Sequence, residues 1–278
     1  MPIVVTGATG NVGRPLVAAL VAAGAQVRAV SRTPESAGLP AEVKVFETAM
    51  DAIPGASALF VNSRALGAEM ASVVGEAKRL GVRRVVALSA INADDDFSRQ
   101  PSRFRGDRNW EAEQLAVESG LEWVSLRPSV FVTNFAGMWA GQIRAGDVVA
   151  GPYAAASSAP IVESDIAAVA AHSLLSNDLL GQRIPLTGPR ALTNTEAVDV
   201  IGAVLQRPVR YQEIPPDLVR QRFVGLGFAS EFGDAYVAMQ AAAVESPATV
   251  TDAVEGITGR AAVPFTQWVS EHVDLFTN

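Results

Sequence analysis

The chain of 278 residues contains no cysteine. Disulfides, thiolate catalysis and zinc–thiolate sites are thereby excluded. Lysine is almost as scarce, limited to Lys44 and Lys78, and tyrosine to Tyr153, Tyr211 and Tyr236. No tyrosine stands four residues before a lysine: Pro40 and Val74 precede the lysines at that spacing, and Ser157, Pro215 and Gln240 follow the tyrosines. The only histidines, His172 and His272, lack a partner at metal-ligand spacing and read as structural, so no metal is expected. Asp94-Asp95-Asp96 puts consecutive carboxylates in different directions and reads as a solvated turn. There is no G-x-S-x-G elbow of a serine hydrolase. Long apolar runs are missing too, since even Ile166–Leu175 is broken by His172, so no membrane span is expected. With 22 basic against 29 acidic residues the net charge is −7, which argues against nucleic acid and anionic membranes as partners. The first strand-like run begins at Ile3 and leaves no room for a targeting segment; the expectation is a cytoplasmic protein.

Glycine, by contrast, is placed with care. The run Ile3-Val4-Val5 reads as a buried strand and leads into Thr6-Gly7-Ala8-Thr9-Gly10-Asn11-Val12-Gly13. A helical pattern follows, with Leu16, Val17, Leu20 and Val21 on one face and Pro15 in the first turn. Strand, glycine turn and helix together form a dinucleotide fingerprint. In it Gly7 permits the tight turn, Gly10 lets backbone approach a pyrophosphate, and Gly13 lets helix and strand pack closely. Gly7, Thr9, Gly10, Asn11, Val12 and Gly13 are the expected phosphate-binding residues.

Strand and helix patterns then alternate. Strands are expected over 26–30, 43–46, 58–61, 84–88 and 122–126, with helices over about 65–80, ended by Gly81, and about 108–118, ended by Gly120. This β-α repetition predicts an α/β fold, a doubly wound and mostly parallel sheet. After Pro128 the pattern changes. A helix is expected over 138–145, a loop over 146–160, a helix capped by Asp165 running to Leu175, and a strand over 183–187. Thr193 and Glu196 form a capping box ahead of a helix to Leu205, helices surround Leu218 and Tyr236, and residues 265–276 read as one amphipathic helix. The division expected is a dinucleotide-binding core of residues 1–133 plus about 161–188, a smaller substrate lobe of 134–160 and 189–263, and a C-terminal helix over 264–278.

NAD-binding folds commonly end the second strand with a carboxylate for the ribose 2′-hydroxyl. Here Val30-Ser31-Arg32-Thr33 offers none, while the Arg32 fork suits a 2′-phosphate and Ser31 adds a hydroxyl. NADP(H) is therefore expected over NAD(H).

The G-x-x-G-x-x-G spacing, together with Leu88-Ser89-Ala90, Trp110-Glu111-Ala112-Glu113-Gln114, Leu126-Arg127-Pro128, Asp165-Ile166-Ala167, Leu186-Thr187-Gly188-Pro189 and Ile257-Thr258-Gly259-Arg260, resembles the NmrA-like family of atypical short-chain dehydrogenases/reductases. That family includes triphenylmethane dye reductases, quinone reductases, isoflavone-type reductases and nonenzymatic NADP sensors. The resemblance implies that Asn62 and Ser63 lie along the cofactor, that Ser89 and Pro128 sit near its nicotinamide, and that Asn92, Asn109, Phe131, Asn134 and Trp139 line a substrate cleft. Each has a plainer reading as well: a strand-end serine for Ser89, loop or cap asparagines, and core aromatics. Relatives often carry His at the position of Asn109 and some carry Lys near Gln114, so a proton relay does not transfer. The superfamily's usual Tyr-x-x-x-Lys acid pair is absent as well, leaving Ser89 and Asn109 as the catalytic candidates. Two functions remain. One is an NADPH-dependent reductase of a small hydrophobic electrophile, such as a quinone, enone, imine or dye. The other is a non-catalytic NADP(H) sensor acting through a protein partner. Homo-oligomerisation is open under either.

Overall fold

The computed structural model describes residues 1–277. Strands run β1 (Ile3–Val5), β2 (Val27–Val30), β3 (Lys44–Phe46), β4 (Ala58–Asn62), β5 (Arg84–Leu88), β6 (Glu122–Pro128), β7 (Val148–Gly151), β8 (Ser157–Ser158), β9 (Gln182–Leu186), β10 (Leu192–Thr193) and β11 (Arg210–Glu213). Helices in the first half are α1 (Gly13–Ala22), α2 (Ala49–Ala52), α3 (Ser63–Leu66), α4 (Met70–Arg79), α5 (Asn109–Glu118) and α6 (Val132–Ala145). Those in the second half are α7 (Glu163–Leu175), α8 (Asn194–Leu205), α9 (Pro216–Gly225), α10 (Ser230–Glu245), α11 (Ala253–Thr258), α12 (Phe265–Glu271) and α13 (Asp274–Thr277).

Seven of the strands form one parallel sheet in the order β3-β2-β1-β4-β5-β6-β9, the doubly wound α/β arrangement. The central strands β1, β4 and β5 are mostly apolar because helices cover both faces, and successive side chains serve opposite cores. Ile3 and Val5 of β1, with Phe60 of β4 and Val86 of β5, pack under Leu16 and Leu20 of α1 and Ile166 of α7. Val4, Leu59, Val61, Val85 and Ala87 face the other way, against Met70, Val73 and Ala112 of α4 and α5. A third core belongs to the second half, where Val132, Phe135, Trp139 and Ile143 of α6 meet α8 and the Phe265–Val269 helix.

The structure departs from the sequence pattern in several places. The helix expected over 65–80 is split at Gly67, whose φ of +53° ends α3 before α4 begins. The helix expected from Met138 starts two turns earlier, at Val132, because Val132 and Phe135 extend its buried face. The expected loop of 146–160 holds β7 and β8. They pair with β11 and β10, and these long-range ladders outweigh the weak strand propensity of Gly, Ala and Ser there. Asp165 caps nothing: α7 begins at Glu163, and the buried Asp165 carboxylate accepts from Arg260 at 2.6 Å and the Val263 N–H at 2.8 Å. That pair ties the Ile257–Arg260 stretch to the core. The C-terminal amphipathic run breaks at His272 into α12 and α13, and Asn278 lies outside the described residues. The Thr193–Glu196 capping box is present as expected.

One charged cluster fastens the sheet to α5. Glu113 is fully buried and accepts from Ser125 (2.6 Å), Arg127 (2.6 and 2.8 Å) and Arg183 (2.6 Å), bridging β6 and β9. Arg127 also pairs with Asp94, which accounts for that carboxylate. Burial alone would raise the Glu113 pKa, but hydrogen bonds from Arg127, Ser125 and Arg183 outweigh it and hold the group at about 2, against an ordinary 4.5. A carboxylate depressed in the folded state stabilises it at neutral pH, and the contribution is lost as pH falls from 4.5 through about 2. The displacement corresponds to about 3 kcal/mol. Glu113→Gln should therefore lower the free energy of unfolding at pH 7 by about 3 kcal/mol and flatten its fall between pH 4.5 and 2, as measured by urea denaturation. An acid limb as steep in the variant as in the wild type would assign acid lability to another group.

Candidate active site

The glycine turn puts three demands on the backbone. Gly7 has a φ of +66°, and a Cβ there would press on Asn62 Nδ2 at 3.0 Å. A Cβ on Gly13 would lie 2.0 Å from the Gly7 carbonyl oxygen, so α1 can start against the end of β1 only with glycine there. Gly10 differs: its Cβ would meet only the Gly7 oxygen, at 3.3 Å, and the residue is exposed.

The turn leaves donors free. The Gly10 N–H bonds Gly7 and the Arg14 N–H bonds Gly10. The N–H groups of Asn11, Val12 and Gly13 find no acceptor among the described residues, and no side chain caps α1. Three orphan donors at the positive end of a ten-residue helix suit an anion, and no acidic residue occupies the first turn. These residues fit the pyrophosphate of a dinucleotide, which would bring hydride-transfer chemistry to this edge of the sheet when bound. The turn is itself braced: Thr6 Oγ1 donates to Phe60 O (2.8 Å) and accepts from the Asn62 N–H (2.9 Å), locking β1 to β4 where the strand order reverses.

Ser31 and Arg32 end β2. Ser31 is buried, and its hydroxyl accepts from the Thr33 N–H (3.3 Å), so it shapes the loop that presents Arg32. Arg32 is exposed and has no ion-pair partner among the described residues. Arg14, which sequence reasoning passed over, extends from α1 to the same loop and donates to Gly38 O at 3.0 Å. Its signal was visible: a cation in the first turn of a helix opposes the dipole and calls for an anion or a fixed acceptor.

Farther along the carboxyl edge the predicted residues hold backbone. Asn62 caps α3, its Oδ1 accepting from the Arg64 N–H (3.1 Å), with its amide over Gly7. Ser63 accepts from the Arg108 N–H (3.0 Å), and Ser89 donates to Asn109 O (3.2 Å); both serines are buried. The two hydroxyls thus pin the start of α5 over the ends of β4 and β5. Pro128 is buried at the end of β6 and Asn92 is half-buried, its carbonyl closing a turn to Asp95. Phe131 is half-buried and bridges Ile161, while Asn134 is exposed in the first turn of α6. The buried amide nitrogen of Gln114 has no partner among the described residues. Trp139 stands apart from this group. It is 3% exposed, edge-on to Phe135 at 4.7 Å and to Tyr211 at 6.1 Å, and belongs to the core of the second half.

Neither Tyr211 nor Tyr236 supplies an activated acid. Tyr211 donates to Pro152 O at 2.7 Å and Tyr236 is buried among Phe223 and Phe232; burial pushes both pKa values up, where a phenol primed to deliver protons is pushed down. A surface cavity of about 600 Å³ is lined by Pro189, just after β9, and by residues of the α11 region such as Thr251, Asp252, Glu255 and Ala262, and no residue of the glycine turn lines it. No helix among the described residues is long and apolar enough to cross a membrane.

Comparison with known proteins agrees with this geometry. Residues 7–177 match a family model described as NAD(P)H-binding. The chain is 32% identical over 284 residues to (4-alkanoyl-5-oxo-2,5-dihydrofuran-3-yl)methyl phosphate reductase of Streptomyces griseus subsp. griseus, covering 99% of both chains. It is 29% identical over 287 residues to an NAD(P)H azoreductase of Xenophilus azovorans, again covering 99% of each. Among solved structures it shares the fold of triphenylmethane reductase of Citrobacter sp. complexed with NADP(H), with a TM-score of 0.81, 20% identity, and 97% of this chain and 99% of that one covered. With the family match spanning more than half of the sequence and the Streptomyces likeness running end to end, the chain belongs to the NAD(P)H-binding family.

Proposed function

We propose that the protein is an NADPH-dependent reductase of a small hydrophobic electrophile: a quinone, an activated alkene, an imine or an azo or cationic dye. The observation that carries the reading is the uncapped start of α1, with three free N–H groups, beside a loop presenting Arg32 where a carboxylate would select NAD. Arg14 supports it with a second cation on that loop. The elevated phenols, and the absence of a tyrosine–lysine pair, disfavour simple ketone reduction, which needs a concerted acid. The acceptors named need none from the protein, or take a proton from water. The work left to the chain is to hold donor and acceptor close and dry. The two relatives that match end to end are both named as reductases, one of a (4-alkanoyl-5-oxo-2,5-dihydrofuran-3-yl)methyl phosphate and one an NAD(P)H azoreductase, which supports reductive chemistry here. Asn92, Phe131 and Asn134, near the ends of β5 and β6, are the proposed substrate contacts; Ser89 and Asn109 act by placing α5 rather than by moving a proton.

The sensor reading draws on one feature, the exposure of Leu218, Val224 and Leu226 on and just after α9. Turnover separates the two: steady NADPH oxidation with any of a set of quinones, activated alkenes, imines and azo or cationic dyes supports the reductase, and tight binding without oxidation by any of them supports the sensor. Arg32→Ala should raise the Kd for NADPH roughly tenfold or more, the loss of a charged hydrogen-bond pair, and leave that for NADH within twofold. Equal losses for both would overturn the NADP assignment. Gly10→Val should still fold, with only a small drop in melting temperature because its Cβ meets a single atom, the Gly7 oxygen at a tight 3.3 Å, yet abolish binding of both cofactors. Gly13→Val should fail to fold stably, having backbone at 2.0 Å. Cofactor affinity retained in Gly10→Val would refute the phosphate site.

A further inference from the structure

A chain of hydrogen bonds leads from the glycine turn into the protein. Asn11 Nδ2 donates to Thr133 Oγ1 at 3.1 Å, across 122 positions of sequence. Because that oxygen is accepting, the Thr133 hydroxyl proton is directed onward, to Glu163 Oε1. The Thr133 N–H points at the same oxygen, at 3.4 Å. Thr133 lies in the first turn of α6 and Glu163 opens α7, so the chain couples the phosphate-binding turn to the starts of two helices. Glu163 is 5% exposed and has no arginine or lysine partner among the described residues. The charged group acting on it is His272, at the end of α12, whose Nδ1 is engaged with Trp268 O. Other buried carboxylates of the molecule are paired: Glu113 with Arg127 and Arg183, and Asp165 with Arg260. Glu163 alone of the three is held by neutral donors.

We propose that Thr133 and Glu163 are positioning residues for the cofactor pyrophosphate, fixing Asn11 and with it the N–H groups of the turn, and that Glu163 does so while carrying a proton. The proposal rests on the glycine turn being the phosphate site. Two donors converge on Oε1, so the proton assigned to Glu163 belongs on Oε2; the carboxyl is buried with no cationic side chain paired to it among the described residues. An ionised Glu163 would place a second negative charge behind the site that receives two phosphates, and like charges disfavour each other most where water is excluded. Burial already raises this carboxyl above the ordinary 4.5, against the pull of the Thr133 donors and of His272. Cofactor binding and protonation of Glu163 therefore favour each other.

The test is the Kd for NADPH from pH 5.5 to 8.5, by fluorescence titration, in the wild type and in Glu163→Gln, Thr133→Val, Thr133→Ser and His272→Gln. The 2′-phosphate titrates in the same range, so the quantity read is the difference between each variant and the wild type. Wild-type affinity should fall with rising pH by roughly tenfold more than that of Glu163→Gln, the factor for one pKa unit. Thr133→Val should weaken binding at every pH by cutting the link to Asn11 while keeping the extra slope, which belongs to the Glu163 charge; Thr133→Ser should restore the affinity, and His272→Gln should keep the slope. Matching slopes in the wild type and Glu163→Gln, or a slope lost in His272→Gln alone, would overturn the proposal. Should Glu163→Gln not fold, the Thr133→Val and Thr133→Ser pair still decides the positioning role, and NADPH affinity unchanged in Thr133→Val, or not restored in Thr133→Ser, would overturn it. A wild type that binds no NADPH at any pH would fell the phosphate-site reading first.

Discussion

The close start of α1 against the end of β1 is the constraint on which the rest of the site depends. A single methyl group on Gly13 would stand 2.0 Å from the Gly7 carbonyl. No side chain caps the helix, which opens with unpaired N–H groups and no acidic residue to quiet them. The sheet is built around this point. β1 lies third in the order, the chain reverses to β4 beside it, and Thr6 ties the two strands together at their ends. A crevice with free donors follows from the topology, and an anionic ligand is what satisfies it.

Charge elsewhere in the molecule is spent on holding elements together. Glu113 joins α5 to β6 and β9, Asp165 joins α7 to the segment before α12, and Arg84 is buried with Glu122 and the Ser173 carbonyl. These clusters pair acid with base. The glycine turn differs in collecting unpaired positive character, from helix donors, Arg32 and Arg14, on an otherwise acidic protein with a net charge of −7. A site so arranged draws an anion locally without making the whole surface attractive to polyanions.

Much of the fold was legible because its signals are local. The glycine spacing, the helix-ending Gly81 and Gly120, and the Thr193–Glu196 capping box each report conformation within a few residues, and each stands where the pattern put it. What was not legible depends on partners far away in sequence. β7 exists because β11 lies alongside it some sixty residues later, and nothing in Val148-Val149-Ala150-Gly151 announces that. Asp165 read as a cap because a carboxylate near a helix start usually is one; its partner, Arg260, lies 95 positions on. Ser63 and Ser89 were identified as cofactor-side residues by resemblance, and the structure shows their hydroxyls committed to the backbone of Arg108 and Asn109. Trp139 read equally well as a cleft wall or as core, and only the packing of Phe135 and Tyr211 around it decides for core. Thr133 and Glu163 carried no motif at all.

The account turns on the start of α1 being the seat of the cofactor phosphates. A crystal structure of the protein grown with NADP⁺ tests this directly. The pyrophosphate oxygens should accept from the N–H groups of Asn11, Val12 and Gly13, with the 2′-phosphate within hydrogen-bond reach of Arg32. Density for the dinucleotide at any other edge of the sheet, or a pyrophosphate that leaves those three donors unpaired, would contradict it.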